Sequence, residues 1–357
     1  MGARYRRAMR SSLLTPDSDV DRLIRELPKV ELHVHLEGAM RPAILLELAE
    51  KHDVATVPRS LDGVREWYEF RDFPHFIEVY LTSMQTLRDE ADFALLTADV
   101  AARLAAQRVS YAELHVSLYA HLMRGIPAQV VFDGIEHARR EAEREHGIQL
   151  RWIPDFPGDY GVETGEQTLE AVLKEGPPSV VGFGVGSVEV SRAPFADLFA
   201  RARAAGLRSL PHAGENGGPE RITEALDLLR AERIGHGIDC VREPALVDRL
   251  RATGVPLDVC PTSNVCTGAV ERIEDHPLPR MLRDGLTVSV NSDDPPMFGT
   301  DLENEYRVAY GLGMEAAELA TLARNGVTAS YLDEPGKRSL IAEIDAVLAR
   351  YRGHEGG

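Results

Sequence analysis

Lys29-Val30-Glu31-Leu32-His33-Val34-His35-Leu36 alternates aliphatic and polar residues at every second position. A period of two is the pattern of a strand with two different faces. Val30, Leu32, Val34 and Leu36 share one face, and Glu31, His33 and His35 share the other. The aliphatic face suits packing beneath helices, which leaves both imidazoles pointing into the mouth of a barrel. Alone, an H-x-H pair suits two hydrogen-bonded core histidines as well as a metal. The rest of the chain decides between them.

Seven more short β-like runs follow, at 109–116, 149–153, 180–185, 207–211, 233–236, 256–260 and 286–290. Most precede an amphipathic stretch, such as 91–107, 128–146 or 219–230. Alternating β and α in one chain implies a parallel sheet, and eight units predict an α/β fold closed into a (β/α)8 TIM barrel. We expect one domain over 1–357 with its core at about 27–333. A long connection, about 39–108, predicts a helical lid insertion after the first strand, and 315–352 predicts C-terminal helices that complete the outer layer. The insertion carries Trp67, Tyr68, Phe70, Phe73, Phe76 and Tyr80. Most of these are expected to fill a small helical core, with one or two facing a ligand.

Composition narrows the class. The 357 residues are 44% apolar and 27% charged, the balance of a soluble protein with a real core. A formal net charge of −17 argues against nucleic acid or an anionic membrane as partner. Arg4, Arg6, Arg7 and Arg10 open the chain, but no apolar run of signal-peptide length follows them. Cys240, Cys260 and Cys266 have no C-x-x-C spacing, so neither a disulfide framework nor a thiolate zinc site is expected. The expected location is cytoplasmic.

The polar residues at the strand ends carry the chemistry. His212 follows the fifth run, Gly214 permits a tight turn, and Glu215 is placed to reach past a metal toward substrate. His236 stands between Gly235 and Gly237 at the end of the sixth run, where it could take a proton from water or orient that water. Asp293 ends the eighth run as a further ligand candidate, and Asp294 beside it is free to bind substrate. Imidazoles from His33, His35 and His212 with the Asp293 carboxylate suit Zn2+ and leave a position for water. Zinc would lower that water's pKa to about 7. Barrel active sites form at the C-terminal ends of strands, where all these residues fall.

The strings Leu27-Pro28-Lys29-Val30-Glu31-Leu32-His33-Val34-His35-Leu36-Glu37-Gly38, Pro211-His212-Ala213-Gly214-Glu215, Glu232-Arg233-Ile234-Gly235-His236-Gly237, Cys260-Pro261-Thr262-Ser263-Asn264 and Asn291-Ser292-Asp293-Asp294-Pro295 resemble the adenosine/adenine deaminase family of the amidohydrolase superfamily. The resemblance covers roughly 27–333. It implies one zinc per chain on His33, His35, His212 and Asp293. It further implies that Glu215 exchanges a proton with purine N1, that His236 assists the attacking hydroxide, that Asp294 bonds N7, and that the Gly186 N–H meets N3.

The subgroup turns on two signals. Glu37, where adenosine deaminases usually have Asp, is similar to adenine deaminases, in which it helps close the space of a ribose. Against that, 73–80, 212–219 and 293–306 resemble bacterial 6-aminodeoxyfutalosine deaminases of an alternative menaquinone route. The expected reaction is hydrolytic deamination of a 5′-substituted adenine nucleoside to its 6-oxo product and ammonia, with adenosine or adenine as the alternative substrate. No Arg/Lys cluster beside the motifs suits a nucleotide phosphate. A binuclear amidohydrolase is disfavoured because 180–185 offers no Lys or Glu to bridge two metals. A non-catalytic purine-binding protein is disfavoured because the whole set of site residues is intact.

Overall fold

The structure, a computed structural model, describes residues 18–355; the arginine-rich stretch 1–10 lies outside them. Eight parallel strands carry the site: β1 (Lys29–His35), β2 (Val109–Val116), β3 (Gln149–Pro157), β4 (Gly182–Gly186), β5, β6 (Ile234–His236), β7 (Leu257–Val259) and β8 (Val288–Val290). Strand β5 comes in two pieces, Arg208–Ser209 and His212–Ala213. Pro211 breaks it, having no N–H to give a ladder. The first piece pairs with β4 and the second with β6. Leu210 N–H to Phe183 O (3.1 Å) and Gly235 N–H to Pro211 O (3.0 Å) carry the sheet across the break.

The ring closes between β8 and β1. Asp293 N–H donates to His33 O at 3.0 Å and His35 N–H to Asp293 O at 2.9 Å. Below that bridge the strands diverge, and side chains replace the backbone ladder. Asn291 Oδ1 accepts the Leu32 N–H at 2.8 Å, and Glu31 Oε1 accepts both N–H and hydroxyl of Ser292, at 2.7 and 3.0 Å. The expected TIM barrel is therefore present, with a seam made partly of side chains. Burial pushes the Glu31 carboxyl up to about 8. Deeper inside, the buried Arg233 guanidinium bonds Glu113 and Asp258 and donates to Ala329 O at 3.2 Å, which ties strand interiors together beneath the site.

Both faces of β1 are buried, as a closed barrel beneath helices requires. Val30 packs against the helix Ala316–Ala329 where that helix has Gly326, whose absent side chain would meet Val30 Cγ2 at 2.9 Å. Several sequence boundaries shift. Strand β3 runs on to Pro157, so it includes Asp155. The stretch expected as one helix at 219–230 is Pro219–Glu224 continued by a π-turn, Ala225–Leu229, and stopped by Arg230 at φ +55°.

The long first connection holds the helices Pro42–Lys51, Leu61–Trp67 and Phe73–Ser83 before Glu90–Ala106 rejoins the barrel wall. Its aromatics divide. Tyr68 and Phe70 are buried with Trp67 packed against them, and the Tyr68 hydroxyl donates to Met40 O at 3.0 Å. Phe73, Phe76 and Tyr80 instead line the cavity at the barrel mouth. Among the described residues, no helix is long and apolar enough to cross a membrane.

Candidate active site

Strand ends bring the expected residues together. His33 and His35 come from β1, His212 from β5, His236 from β6 and Asp293 from the turn after β8. His236 and Asp293 both adopt left-handed backbone, at φ +64° and +63°. Non-glycine residues there cost about 1–3 kcal/mol each and persist where the surroundings dictate them. At Asp293 the kinked backbone makes the β1–β8 bridge while its carboxylate stays over the barrel mouth.

The donor atoms converge. His35 Nε2 lies 3.2 Å from His212 Nε2, and Asp293 Oδ1 lies 3.3 Å from His35 Nε2 and 3.6 Å from His33 Nε2. Two ligands about 2.0–2.1 Å from one tetrahedral ion stand about 3.3 Å apart. Both ring nitrogens of His33 are buried without a hydrogen-bond partner in the protein, an arrangement a bound cation would relieve. Burial, reinforced by the neighbouring imidazoles, holds His33 and His212 well below the usual histidine range; burial lowers His35 too. Neutral imidazoles are the ligating form. Cys260 adjoins His33 and Asp293, but burial holds its thiol well above its usual range, a poor source of thiolate. These residues fit a metal ion.

Close approach at two glycines builds the site. A methyl on Gly235 would lie 2.6 Å from His33 Cε1, so glycine lets the imidazole into its place. A methyl on Gly38 would strike the Asp294 carboxylate, with Cγ at 2.5 Å and Cβ at 2.8 Å. Asp294 Oδ1 is buried without a partner, and burial together with the Asp293 charge holds Asp294 well above the usual carboxylate range.

Glu215 lines the cavity beside His236. Its Oε2 is 3.8 Å from His236 Nε2, and Oε1 accepts the Thr267 hydroxyl at 2.6 Å. Burial raises its pKa against that hydrogen bond. A carboxylate missed in the sequence, Glu189, fixes the loop that carries it: Glu189 accepts the N–H groups of Gly214 (2.8 Å) and Glu215 (2.7 Å). The buried Arg192 guanidinium adds a hydrogen bond to His212 O at 2.7 Å.

A hydrogen-bond chain behind His236 sets its tautomer. Leu278 N–H donates to His276 Nδ1 at 3.2 Å, so the His276 proton is on Nε2, which donates to Asn264 Oδ1 at 3.1 Å. Asn264 Nδ2 must then face His236 Nδ1, 3.1 Å away, and donate to it. The proton of neutral His236 therefore lies on Nε2, 3.8 Å from Asp293 Oδ2. Asn264, whose role the sequence left open, orients His236 rather than merely shaping a turn.

Two further groups were missed. His115 ends β2 with its ring centroid 4.9 Å from those of His33 and His35, and burial lowers its pKa to about 3. Asp155 lies two residues before the end of β3; its Oδ2 lies 3.3 Å from His115 Nδ1 and 3.8 Å from His35 Nδ1, and burial raises it to about 7. A carboxylate behind a ligating imidazole fixes ring orientation. The position of His115, near the end of the β-like run 109–116, is a usable signal in the sequence; the β-like run 149–153 stops short of Asp155.

The cavity over these groups has a volume of about 380 Å³. Its floor is His35, His212, Glu215, His236, Asp293 and Asp294, with Gly186 at its side. Its outer wall is apolar, built from Phe73, Phe76, Ile77, Leu81, Met123 and Phe298. No lysine or arginine is among the described residues that line it. Glu37 does not line it either. It is fully buried behind Ser117, with Oε1 2.7 Å from His121 Nε2.

Known proteins are similar to this chain over most of its length. The family model described as adenosine deaminase matches residues 28–347. An aminodeoxyfutalosine deaminase of Streptomyces coelicolor is 46% identical over 346 residues, covering 95% of this chain and 89% of that protein. The crystal structure of an adenine deaminase from Arthrobacter aurescens superposes with a TM-score of 0.86 at 37% identity, covering 90% of this chain and 98% of that one. An amidohydrolase from Burkholderia ambifaria with bound Zn has a TM-score of 0.86 at 25% identity, covering 95% and 96%.

Proposed function

The chain belongs to the adenosine deaminase family and is a hydrolytic deaminase, and on that premise we propose that it removes the 6-amino group of a 5′-substituted adenine nucleoside. 6-Aminodeoxyfutalosine is the first candidate, with menaquinone biosynthesis as the setting. The observation that carries this reading is the cavity: about 380 Å³, polar at the floor and apolar beyond it, more room than a bare purine needs. The absence of lysine and arginine from its described lining favours a nucleoside over a nucleotide. The 37% identity to an adenine deaminase keeps free adenine as the second reading.

We assign one zinc ion per chain to His33, His35, His212 and Asp293. Zinc held there would supply Lewis acidity and a water of lowered pKa, about 7. Water adding at C6 breaks the aromatic ring system, which is easier when N1 takes a proton at the same time. Glu215, its pKa raised by burial, is the acid that delivers this proton. The water gives up two protons, one carried to the departing amine and the other restoring Glu215, so the products are the 6-oxo purine and ammonia.

His236, with its Nδ1 occupied by Asn264, serves as a donor from Nε2 that stabilises negative charge developing on the added oxygen. Asp294 as a neutral acid donates to N7, an acceptor, and the Gly186 N–H donates to N3. Asp155 steadies His35 from behind.

A deamination screen of the zinc-loaded protein against aminodeoxyfutalosine, methylthioadenosine, adenosine and adenine tests the proposal, together with a zinc count per chain. Highest kcat/KM on the 5′-substituted nucleosides is expected. A preference for adenine would refute the nucleoside reading, and two metals per chain would refute the mononuclear centre.

A further inference from the structure

Glu37 is fully buried and lies one side chain away from the cavity, a place where a carboxyl group needs hydrogen-bond partners. It has them. Oε1 accepts from His121 Nε2 at 2.7 Å, and Oε2 accepts the Ser117 N–H at 3.3 Å. His121 is itself gripped by Arg124, whose Nη2 lies 2.6 Å from His121 Nδ1. A guanidinium can only donate, so Nδ1 must accept and the imidazole proton must sit on Nε2, facing Glu37. Arg124 is anchored in turn on Leu87 O (3.2 Å) and Ala120 O (3.1 Å). On the cavity side, the Ser117 hydroxyl meets the Tyr80 hydroxyl at 3.1 Å, and both residues line the cavity.

We propose that His121 and Arg124 determine selectivity at the sugar side of this site, by locking the Glu37 carboxylate into the wall so that the space beside Tyr80 and Ser117 stays open to the substituent on purine N9. The proposal rests on the nucleoside reading above. Without the imidazole donor, the buried carboxyl group loses its strongest partner, and the cavity lined by Ser117 and Tyr80 is the open space beside it. The released side chain swings there and occupies the volume the sugar needs. Free adenine, which does not fill that volume, is affected little. Glu37 thus acts in this chain through where it is held, and His121 and Arg124 are positioning residues.

The test is the ratio of kcat/KM for adenosine over adenine in purified holoenzyme, with metal content measured alongside. In His121→Leu the ratio falls about tenfold or more, the scale of one side chain's change to a pocket. The loss appears in KM for the nucleoside, with metal content at the wild-type level. His121→Gln, whose amide can donate to Glu37, keeps the wild-type ratio. Should the leucine variant not fold, Arg124→Met at its half-buried position carries the test, with a smaller fall expected. An unchanged ratio, or an equal loss on both substrates, in a nucleoside-preferring enzyme overturns the proposal alone. A wild-type protein that prefers adenine refutes the nucleoside reading and this proposal with it.

Discussion

Alanine at position 38 removes no functional group, yet it is expected to disable the site. Gly38 has no left-handed backbone, so alanine is conformationally acceptable there. The added methyl would stand 2.5 Å from Asp294 Cγ, whereas carbon atoms in contact rest at about 3.5 Å or more. Asp294 Oδ1 would overlap the methyl outright, so one of the two must move by well over an ångström. The backbone of residue 38 is tied in by the Ala39 N–H to His35 O bond at 2.9 Å, whereas Asp294 Oδ1 has no hydrogen bond to hold it. The carboxyl therefore gives way. A misplacement of about 1 Å at a group that orients the substrate costs on the order of 10²-fold. The assay is kcat/KM for deamination, paired with metal content and with a 7-deaza substrate that lacks the N7 acceptor. Gly38→Ala should lose about 10²-fold on the normal substrate, keep its metal, and lose most of the wild-type discrimination against the 7-deaza analogue. Wild-type kcat/KM, or undiminished discrimination, would refute the role given to Asp294.

Replacing Glu215 by Gln should lower kcat by about 10²–10⁴-fold with metal retained; near-normal turnover would remove it as the N1 acid. Thr267→Val deletes a hydrogen bond that favours ionised Glu215, so the pKa of Glu215 rises further and the alkaline limb of kcat/KM moves to higher pH. An unmoved limb would mean that another group sets it. Glu31 is raised by burial from 4.5 to about 8, so the folded protein binds its proton more tightly than the unfolded chain does. Its contribution is full below about 4.5 and is lost as pH rises through 8. Glu31→Gln should flatten the fall of Tm across that window, and an equally steep fall would place the pH dependence elsewhere.

The parts of the fold legible in sequence were those with a local cause. Alternation along 29–36 showed a two-faced strand, and strand-end histidines and carboxylates marked the site because each sits beside a turn. The chain does not announce contacts made at a distance. Glu189 holds Glu215 across 26 positions, and nothing near Val188-Glu189-Val190 distinguishes it from a surface acid. The same holds for the His276–Asn264–His236 chain, which joins two connections through side chains alone. Glu37 shows the limit of reading identity without surroundings. Its extra methylene suggested a closed sugar space, yet its place in the wall is decided by His121, 84 positions away.

On the ligand assignment proposed above, the seam between β1 and β8 would set the order in which the molecule acquires a metal. His33 and His35 lie near the beginning of the chain, and Asp293 lies more than 250 positions later, on the other side of that seam. During synthesis the first strand emerges long before its neighbour in the ring exists. The ligand set is assembled by the same backbone bonds that join the first strand to the last. A chain that stops short of Asp293 would therefore offer up to three of the proposed histidine ligands but no complete centre, and metal uptake would become a checkpoint that only a finished barrel passes.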